Sequence, residues 1–210
     1  MTLGFYKVFF GICFGIFSMN TYSNSSTGSV FIPGKDYYIL KNPSKINDGN
    51  IKVEEFFWYG CHYCFLLEKP LQSWLKTIPK DVRFERIPAA VNPVWESGAR
   101  TYYTSEILNV RKKSHLELYK AIHIDKEKIF NQESAATFFT RYDISKKKFN
   151  DTYNSFAVTN MIARSNNLMK NYALTGVPAF VINGKYIVKG GDQRAIQVVD
   201  YLIRNERKLK

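Results

Sequence analysis

Two cysteines separated by two residues are the part of this 210-residue chain best suited to chemistry. Cys61 and Cys64 stand in the sequence Cys-His-Tyr-Cys, which lets the two thiols close a small disulfide ring. Thiolates are nucleophiles that exchange with disulfides, so the pair can take up or release two electrons. We expect Cys61 to face outward and to be the nucleophile that meets an external thiol.

Two other roles for the cysteine pair are less consistent with the sequence. A zinc site normally needs a second pair of ligands, and His115 and His123 show no finger-like spacing. A structural disulfide that closes a loop of two residues gains little stability from chain entropy. Redox chemistry is therefore favoured, without a metal or another cofactor, and we interpret both histidines as surface or core residues.

The residues around Cys61 predict how it is positioned. A central strand is predicted from Ile51 to Trp58, and Gly60 breaks it just before Cys61. After Cys61 the apolar residues take helical spacing on one face: Leu67, Leu71, Trp74, Leu75 and Ile78. Cys61 is therefore expected at a helix N-terminus, where amide groups and the helix dipole favour its thiolate.

The rest of the sequence predicts an α/β fold. Asp81 to Ile87 alternates like a strand, which makes a strand-helix-strand unit with parallel pairing around the cysteines. Helical spacing between Trp95 and Tyr172 predicts a helical insertion at about 92–172. A hairpin turning at Asn183-Gly184 and a last helix from Asp192 to Arg207 follow.

The N-terminus has the pattern of a secretory signal peptide. One cation, Lys7, precedes the apolar run from Val8 to Phe17, and a polar stretch follows. The run is shorter than the roughly 20 residues that span a bilayer. We therefore predict that residues 1–23 are removed on export, with the domain at 24–210, which leaves Cys61 and Cys64 in an oxidising compartment.

The chain is basic without the pattern of a nucleic-acid-binding protein. Its formal charge of +12 becomes +11 without the predicted signal peptide, whose only charged residue is Lys7. The cations are dispersed, with short runs at 111–113, 146–148 and 204–210. Nucleic-acid binding favours a clustered basic face. We interpret these runs as solvated helix faces and expect no nucleic-acid partner.

A second motif completes a recognisable pattern. Thr175-Gly176-Val177-Pro178-Ala179-Phe180 would by itself only mark the start of a strand. Combined with the cysteine-bearing helix, the helical insertion and the Asn-Gly hairpin, it resembles the DsbA family over almost the whole mature length. That resemblance implies a thioredoxin fold with an inserted all-helical subdomain. It also implies a periplasmic monomer that introduces disulfide bonds into reduced exported proteins.

The family resemblance assigns further site residues and a partner. It implies a cis peptide bond between Val177 and Pro178 beside the cysteines, with the Val177 backbone free to pair with an extended substrate peptide. It also implies reoxidation of the cysteine pair by a DsbB-like membrane quinone reductase.

Glu55 and Arg86 are candidate supporting residues. Glu55 lies six residues before Cys61, where the family carries a buried acid, and a carboxylate there could relay a proton for Cys64. Alternatively, Glu55 lies at the exposed end of its strand and simply pairs with Arg86, which falls where the family has a lysine. The sequence leaves both roles open, because a buried acid needs a partner in either case.

The residues between the cysteines depart from the family pattern. The family usually has Pro-His there, and this chain has His62-Tyr63. His62 can favour the Cys61 thiolate when protonated, or it is an exposed helix-start residue without a catalytic role. Tyr63 offers only a hydroxyl and bulk. This departure keeps open a milder oxidant, a reductase or isomerase, and a non-catalytic, chaperone-like peptide-binding module.

Overall fold

Five strands and seven α-helices make up the described part of the computed structural model, which covers residues 1–2, 31–41, 43 and 49–208. The strands are β1 (Tyr38–Ile39), β2 (Ile51–Phe57), β3 (Val82–Pro88), β4 (Ala179–Ile182) and β5 (Tyr186–Lys189). The helices are α1 (His62–Leu75), α2 (Pro93–Ile107), α3 (Arg111–His123), α4 (Gln132–Phe139), α5 (Lys146–Tyr153), α6 (Phe156–Asn171) and α7 (Gln193–Lys208). The predicted signal peptide lies almost wholly outside the described residues.

The strands form one sheet in the order β1-β5-β4-β2-β3. β2 pairs in parallel with β3 and antiparallel with β4, while β4 and β5 form an antiparallel hairpin. β2 is therefore an interior strand of the sheet, and six of its seven residues are buried, the acids Glu54 and Glu55 among them. The predicted strand-helix-strand unit and the predicted hairpin are both confirmed.

Side chains of β2 alternate between the two faces of the sheet. Val53 packs with Leu67 of α1 and Val199 of α7 in one buried cluster. Phe56 points to the opposite face and packs with Met169 of α6 in another. Because both faces of β2 are covered, its C-terminal end is a rigid support for whatever follows it.

The five helices α2 to α6 lie between β3 and β4, so the predicted fold class, a thioredoxin fold with an all-helical insertion, is confirmed. The domain limits of about 92–172 remain a prediction. A buried cluster joins Leu118 and Tyr119 of α3 with Phe57, Tyr59 and Cys64. The insertion therefore packs directly against the end of β2 that carries the cysteines. None of the helices in the described ranges is long and apolar enough to cross a membrane.

Candidate active site

Cys61 follows a tight turn at the end of β2. The turn is closed by a hydrogen bond from the Cys61 amide to the Trp58 carbonyl oxygen, at 3.0 Å. Gly60 is required inside it, since a Cβ atom there would lie 2.3 Å from the Trp58 ring. The Trp58 ring in turn stacks on Trp95 of α2, with centroids 4.9 Å apart. The turn delivers Cys61 to the N-cap position of α1.

The N-cap position favours the thiolate of Cys61. The Cys61 sulfur accepts a hydrogen bond from the Cys64 amide at 3.3 Å, as an N-cap side chain does. The Cys64 thiol and the amides of Cys64 and Tyr63 lower the pKa of Cys61 to about 7 from an ordinary 9.0, although partial burial opposes them. Cys61 is the nucleophilic member of the pair by position and by electrostatics.

Cys64 has the opposite surroundings. It is fully buried, whereas Cys61 is partly exposed, and both are free thiols. Burial, the neighbouring Cys61 and the charge of Glu55 raise the pKa of Cys64 far above its ordinary range. An external thiol therefore meets Cys61, while Cys64 holds its proton firmly in the reduced protein.

The Val177–Pro178 loop lies against the cysteines. The peptide bond between Val177 and Pro178 is cis, as the family resemblance implies. The Cys61 thiol lies 3.6 Å from the Val177 carbonyl oxygen, to which it donates a weak hydrogen bond. A groove of about 400 Å³ runs beside this loop, lined by Tyr63, Thr175, Gly176, Val177, Pro178, Lys189, Gly190 and Gly191. An extended peptide has room to lie next to Cys61.

The two residues between the cysteines are both exposed. The His62 ring lies with its centroid 5.9 Å from that of His123 at the end of α3. Tyr63, which is 64% exposed, packs its backbone against Gly191, where a Cβ atom would lie 2.7 Å from the Tyr63 carbonyl oxygen. The predicted effect of His62 on the Cys61 thiolate remains a prediction, and Tyr63 forms one wall of the groove.

Glu55 is buried beneath the cysteines. Its side chain has no exposed surface, so the interpretation that placed it at the exposed end of a strand is wrong. It faces Arg86 across the parallel β2–β3 pair, and Arg86 Nε lies 3.0 Å from Glu55 Oε2. The contact lacks hydrogen-bond alignment, and within the described residues neither Glu55 oxygen accepts a hydrogen bond. Burial raises the pKa of Glu55 to about 8.

A second buried acid, Glu68 on α1, shares Arg86 with Glu55. Arg86 Nη2 lies 3.2 Å from both oxygens of Glu68, and Gln72 and His115 also donate to that carboxylate. Burial alone would raise the pKa of Glu68, but these donors lower it to about 2. The cluster therefore contains one ionised acid and one acid that keeps its proton near neutral pH.

Sequence reasoning missed Glu68, although a signal was present. Glu68 stands four residues after Cys64 and three before Leu71, which is helical spacing on the buried face of α1. An acid on an apolar helical face needs a partner. His115 carries a similar signal, since Leu118, Tyr119 and Ile122 follow it at helical spacing.

His115 and His123 of α3 both reach the turn before Cys61. His115 is buried, with Nδ1 2.8 Å from the Tyr59 hydroxyl, so the core interpretation of this residue is confirmed. His123 is partly exposed and donates from Nε2 to the Tyr59 carbonyl oxygen at 2.7 Å. Neither of these two contacts with Tyr59 was anticipated from the sequence. Over the described ranges, no group of three or more His, Cys, Asp or Glu residues is arranged to hold a metal.

Comparison with known proteins agrees with this geometry. Residues 95–202 match the family model of the DSBA-like thioredoxin domain. The thiol:disulfide interchange protein DsbA of Pseudomonas aeruginosa is 35% identical over 182 residues, covering 84% of this chain and 86% of its own. DsbA of Azotobacter vinelandii is 34% identical over 197 residues, covering 91% and 92%.

Solved structures give the same result. The crystal structure of Pseudomonas aeruginosa DsbA superposes with a TM-score of 0.79 at 34% identity, covering 85% of this chain and 96% of its own. The oxidoreductase DsbA of Xylella fastidiosa superposes with a TM-score of 0.81 at 30% identity, covering 86% and 100%. With the cysteine pair at a helix N-terminus and the cis-proline loop beside it, the chain belongs to the DsbA family of thioredoxin-fold proteins.

Proposed function

We propose that this protein is a thiol:disulfide oxidoreductase that introduces disulfide bonds into exported proteins through Cys61 and Cys64. One observation carries the proposal: the two sulfurs have opposite environments within a single helical turn. Cys61 is partly exposed with a lowered pKa, and Cys64 is buried with a raised one. This difference fixes which sulfur is attacked, because the pair can be reached only through Cys61.

The exchange proceeds in two steps that conserve electrons. In the oxidised protein, a substrate thiolate attacks the Cys61 sulfur, the bond between Cys61 and Cys64 breaks, and Cys64 leaves with the electron pair. A second substrate thiolate then attacks the substrate sulfur of the mixed disulfide and releases Cys61 as a thiolate. The substrate loses two electrons and gains a disulfide, and the enzyme becomes the dithiol.

The Cys64 thiolate formed in the first step needs a proton. Its pKa is raised far above neutral, so it takes up a proton as soon as one can reach it. Glu55 is the nearby group that keeps a proton near pH 7, since burial raises its pKa to about 8. We therefore assign Glu55 as the proton donor to Cys64, with Arg86 holding its carboxyl group in place.

The groove beside the cis-proline loop is the proposed substrate site. The Val177 and Pro178 backbone and the Tyr63 side chain line it next to the Cys61 sulfur. An extended peptide bound there by backbone hydrogen bonds would be recognised with little dependence on its sequence. That fits an enzyme that acts on many reduced proteins.

Three further assignments follow from family membership and the N-terminal sequence. We place the mature protein in the periplasm as a monomer, after removal of residues 1–23. A DsbB-like membrane quinone reductase would reoxidise the Cys61–Cys64 pair. Detection of the processed protein in a periplasmic extract, with a molecular mass near that of one chain by light scattering, would support the first two assignments.

Mixing the oxidised protein with a reduced peptide that contains two cysteines tests the function. We expect loss of the peptide thiols together with reduction of the enzyme, and no reaction with Cys61→Ser. A Cys64→Ser variant mixed instead with the disulfide form of that peptide should accumulate the mixed disulfide, since the Cys61 thiolate attacks the peptide disulfide and no Cys64 thiol remains to release the bound peptide. A Cys61→Ser variant that retained full function in cells would instead support a non-catalytic peptide-binding module.

A further inference from the structure

The turn that presents Cys61 is held by the helical insertion at one residue, Tyr59. The Tyr59 side chain is buried, and its hydroxyl lies 2.8 Å from His115 Nδ1. The carbonyl oxygen of the same residue lies 2.7 Å from His123 Nε2. Both histidines belong to α3, so one helix contacts Tyr59 at its side chain and at its backbone. Only Gly60 separates this residue from Cys61.

The bond between Tyr59 and His115 has a defined direction. His115 Nε2 lies 3.1 Å from Glu68 Oε1, so Nε2–H donates to the carboxylate and Nδ1 accepts the Tyr59 hydroxyl proton. Burial and the charges of Arg86 and Arg111 lower the pKa of His115, against the effect of Glu68. The imidazole is therefore neutral, as this arrangement requires. Tyr102 and Tyr119 complete its titratable surroundings.

His123 contacts the chain on both sides of Cys61. Its ring stacks on Phe65 of α1, with centroids 5.0 Å apart and planes 5° from parallel. The Phe65 amide donates to the Cys61 carbonyl oxygen at 3.1 Å, which is the first backbone bond of α1. His123 therefore braces the first turn of α1 while it holds the Tyr59 carbonyl oxygen.

We propose that His115 and His123 are positioning residues for the exchange reaction: they clamp Tyr59 so that Cys61 keeps its N-cap geometry. In that geometry the Cys61 sulfur accepts the Cys64 amide, and this hydrogen bond favours the thiolate. A turn that could shift would weaken the bond, because hydrogen-bond strength falls steeply with distance and angle. This proposal rests on the proposed function. It adds that the helical insertion, as well as α1, sets the pKa of Cys61.

The first pair of variants separates the clamp from general packing. Tyr59→Phe keeps the ring and removes only the hydroxyl that His115 accepts. Tyr103→Phe is the matched control, since it also removes a buried hydroxyl, which lies 2.6 Å from Ser165 Oγ in the insertion. The measurement is the pH titration of thiolate absorbance in the reduced, folded protein. We expect Tyr59→Phe to raise the Cys61 pKa by about one unit, and Tyr103→Phe to leave it unchanged.

The second pair separates the hydrogen bond of His123 from its charge. His123→Phe keeps the stacking on Phe65 and removes the donor, whereas His123→Gln supplies an amide donor without a titratable ring. We expect His123→Phe to raise the Cys61 pKa by about one unit, which cuts the thiolate fraction at neutral pH several-fold, and His123→Gln to recover most of it. Dithiol-peptide oxidation should slow in the same order.

The titration has outcomes that overturn the clamp. If Tyr59→Phe and His123→Phe both titrate like the wild type while their thermal stability falls like that of Tyr103→Phe, the contacts only pack the core. If His123→Gln titrates like His123→Phe, the histidine acts through its charge, and the clamp is wrong. A third outcome separates the clamp from the proposed function. If the variants raise the Cys61 pKa but the wild type oxidises no dithiol peptide, the clamp is supported and the proposed function is contradicted.

Discussion

At the scale of single residues, the protonation of Cys61 sets the pH range of the chemistry. The Cys64 thiol and the amides at the start of α1 lower the pKa of Cys61 to about 7. We predict that the alkylation rate of the reduced protein rises through a midpoint near pH 7, and that Cys64→Ala moves that midpoint upward because the thiol donor is lost. A midpoint near the ordinary thiol value of 9.0 would contradict the proposed environment.

At the same scale, the raised pKa of Glu55 predicts how the free energy of unfolding depends on pH. Burial raises its pKa from 4.5 to about 8, so the folded protein keeps a proton that the unfolded chain releases. The stability associated with that proton is complete below about pH 4.5 and is lost as the pH rises toward 8. Glu55→Gln removes this dependence, so its free energy of unfolding in urea should gain roughly 4 kcal/mol relative to the wild type between about pH 5 and pH 9.

Two further measurements complete the Glu55 test. If the free energy of unfolding changes with pH in the same way for the wild type and Glu55→Gln, the carboxyl group does not titrate in this range. A slower first exchange step at neutral pH in Glu55→Gln would favour proton relay. An unchanged rate together with a changed pH dependence of stability would leave Glu55 with only its structural contact to Arg86.

Local sequence patterns predicted the position of the cysteine pair but not its polar surroundings. The spacing of Cys61 and Cys64 and the change of period after Gly60 were sufficient to place the pair at a helix start. Glu68 escaped notice, and the hydrogen-bond partners of His115 were not predicted, because each residue is polar and stands alone in an apolar helical face. Their partner atoms come from distant segments that only the folded chain brings together.

At the scale of elements, the turn between β2 and α1 has no room for a side chain at Gly60. A Cβ atom on Gly60 would lie 2.3 Å from the Trp58 ring, which is itself stacked on Trp95. We predict that Gly60→Ala lowers the free energy of unfolding by about 2 kcal/mol and lowers the thiolate fraction of Cys61. Gly176→Ala is the control, because no atom lies within 4 Å of the added Cβ position. Equal stability of the two variants in thermal unfolding would refute the close packing.

The contact between the start of α1 and the loop after β5 shapes the groove that we propose as the substrate site. A Cβ atom on Gly191 would lie 2.7 Å from both the Cβ atom and the carbonyl oxygen of Tyr63. We predict that Gly191→Ala pushes Tyr63 away and raises KM for a dithiol peptide several-fold, since an ångström of misplacement is costly in a binding site. Exchange with glutathione, which does not need the groove, should change little. An equal loss for both thiols would place the defect at Cys61 itself.

The elements themselves were predicted well because their periods differ. Two-residue alternation identified the strand from Asp81 to Ile87, the Asn183-Gly184 turn identified the hairpin, and helical spacing identified the insertion. Periodicity carries no information on which helix covers which end of the sheet. The packing of α3 against the turn before Cys61 therefore appeared only in the structure.

At the scale of the whole molecule, the insertion and the thioredoxin core share buried residues. Phe57, Tyr59 and Cys64 belong to the same cluster as Leu118 and Tyr119 of α3. We predict that the reduced protein unfolds in one cooperative transition, because neither part keeps its core without the other. Far-ultraviolet circular dichroism and tryptophan fluorescence should give coincident urea curves. Separate transitions would indicate that the insertion folds independently.

The equilibrium of the Cys61–Cys64 pair with glutathione tests the central claim most directly. A disulfide-forming enzyme needs a pair that is reduced more readily than its substrates' new disulfides, which a stabilised Cys61 thiolate favours. We predict a reduction potential for the Cys61–Cys64 pair well above the value of about −270 mV for thioredoxin, so that glutathione reduces the pair readily. A potential at or below that value would contradict disulfide introduction and identify the protein as a reductase.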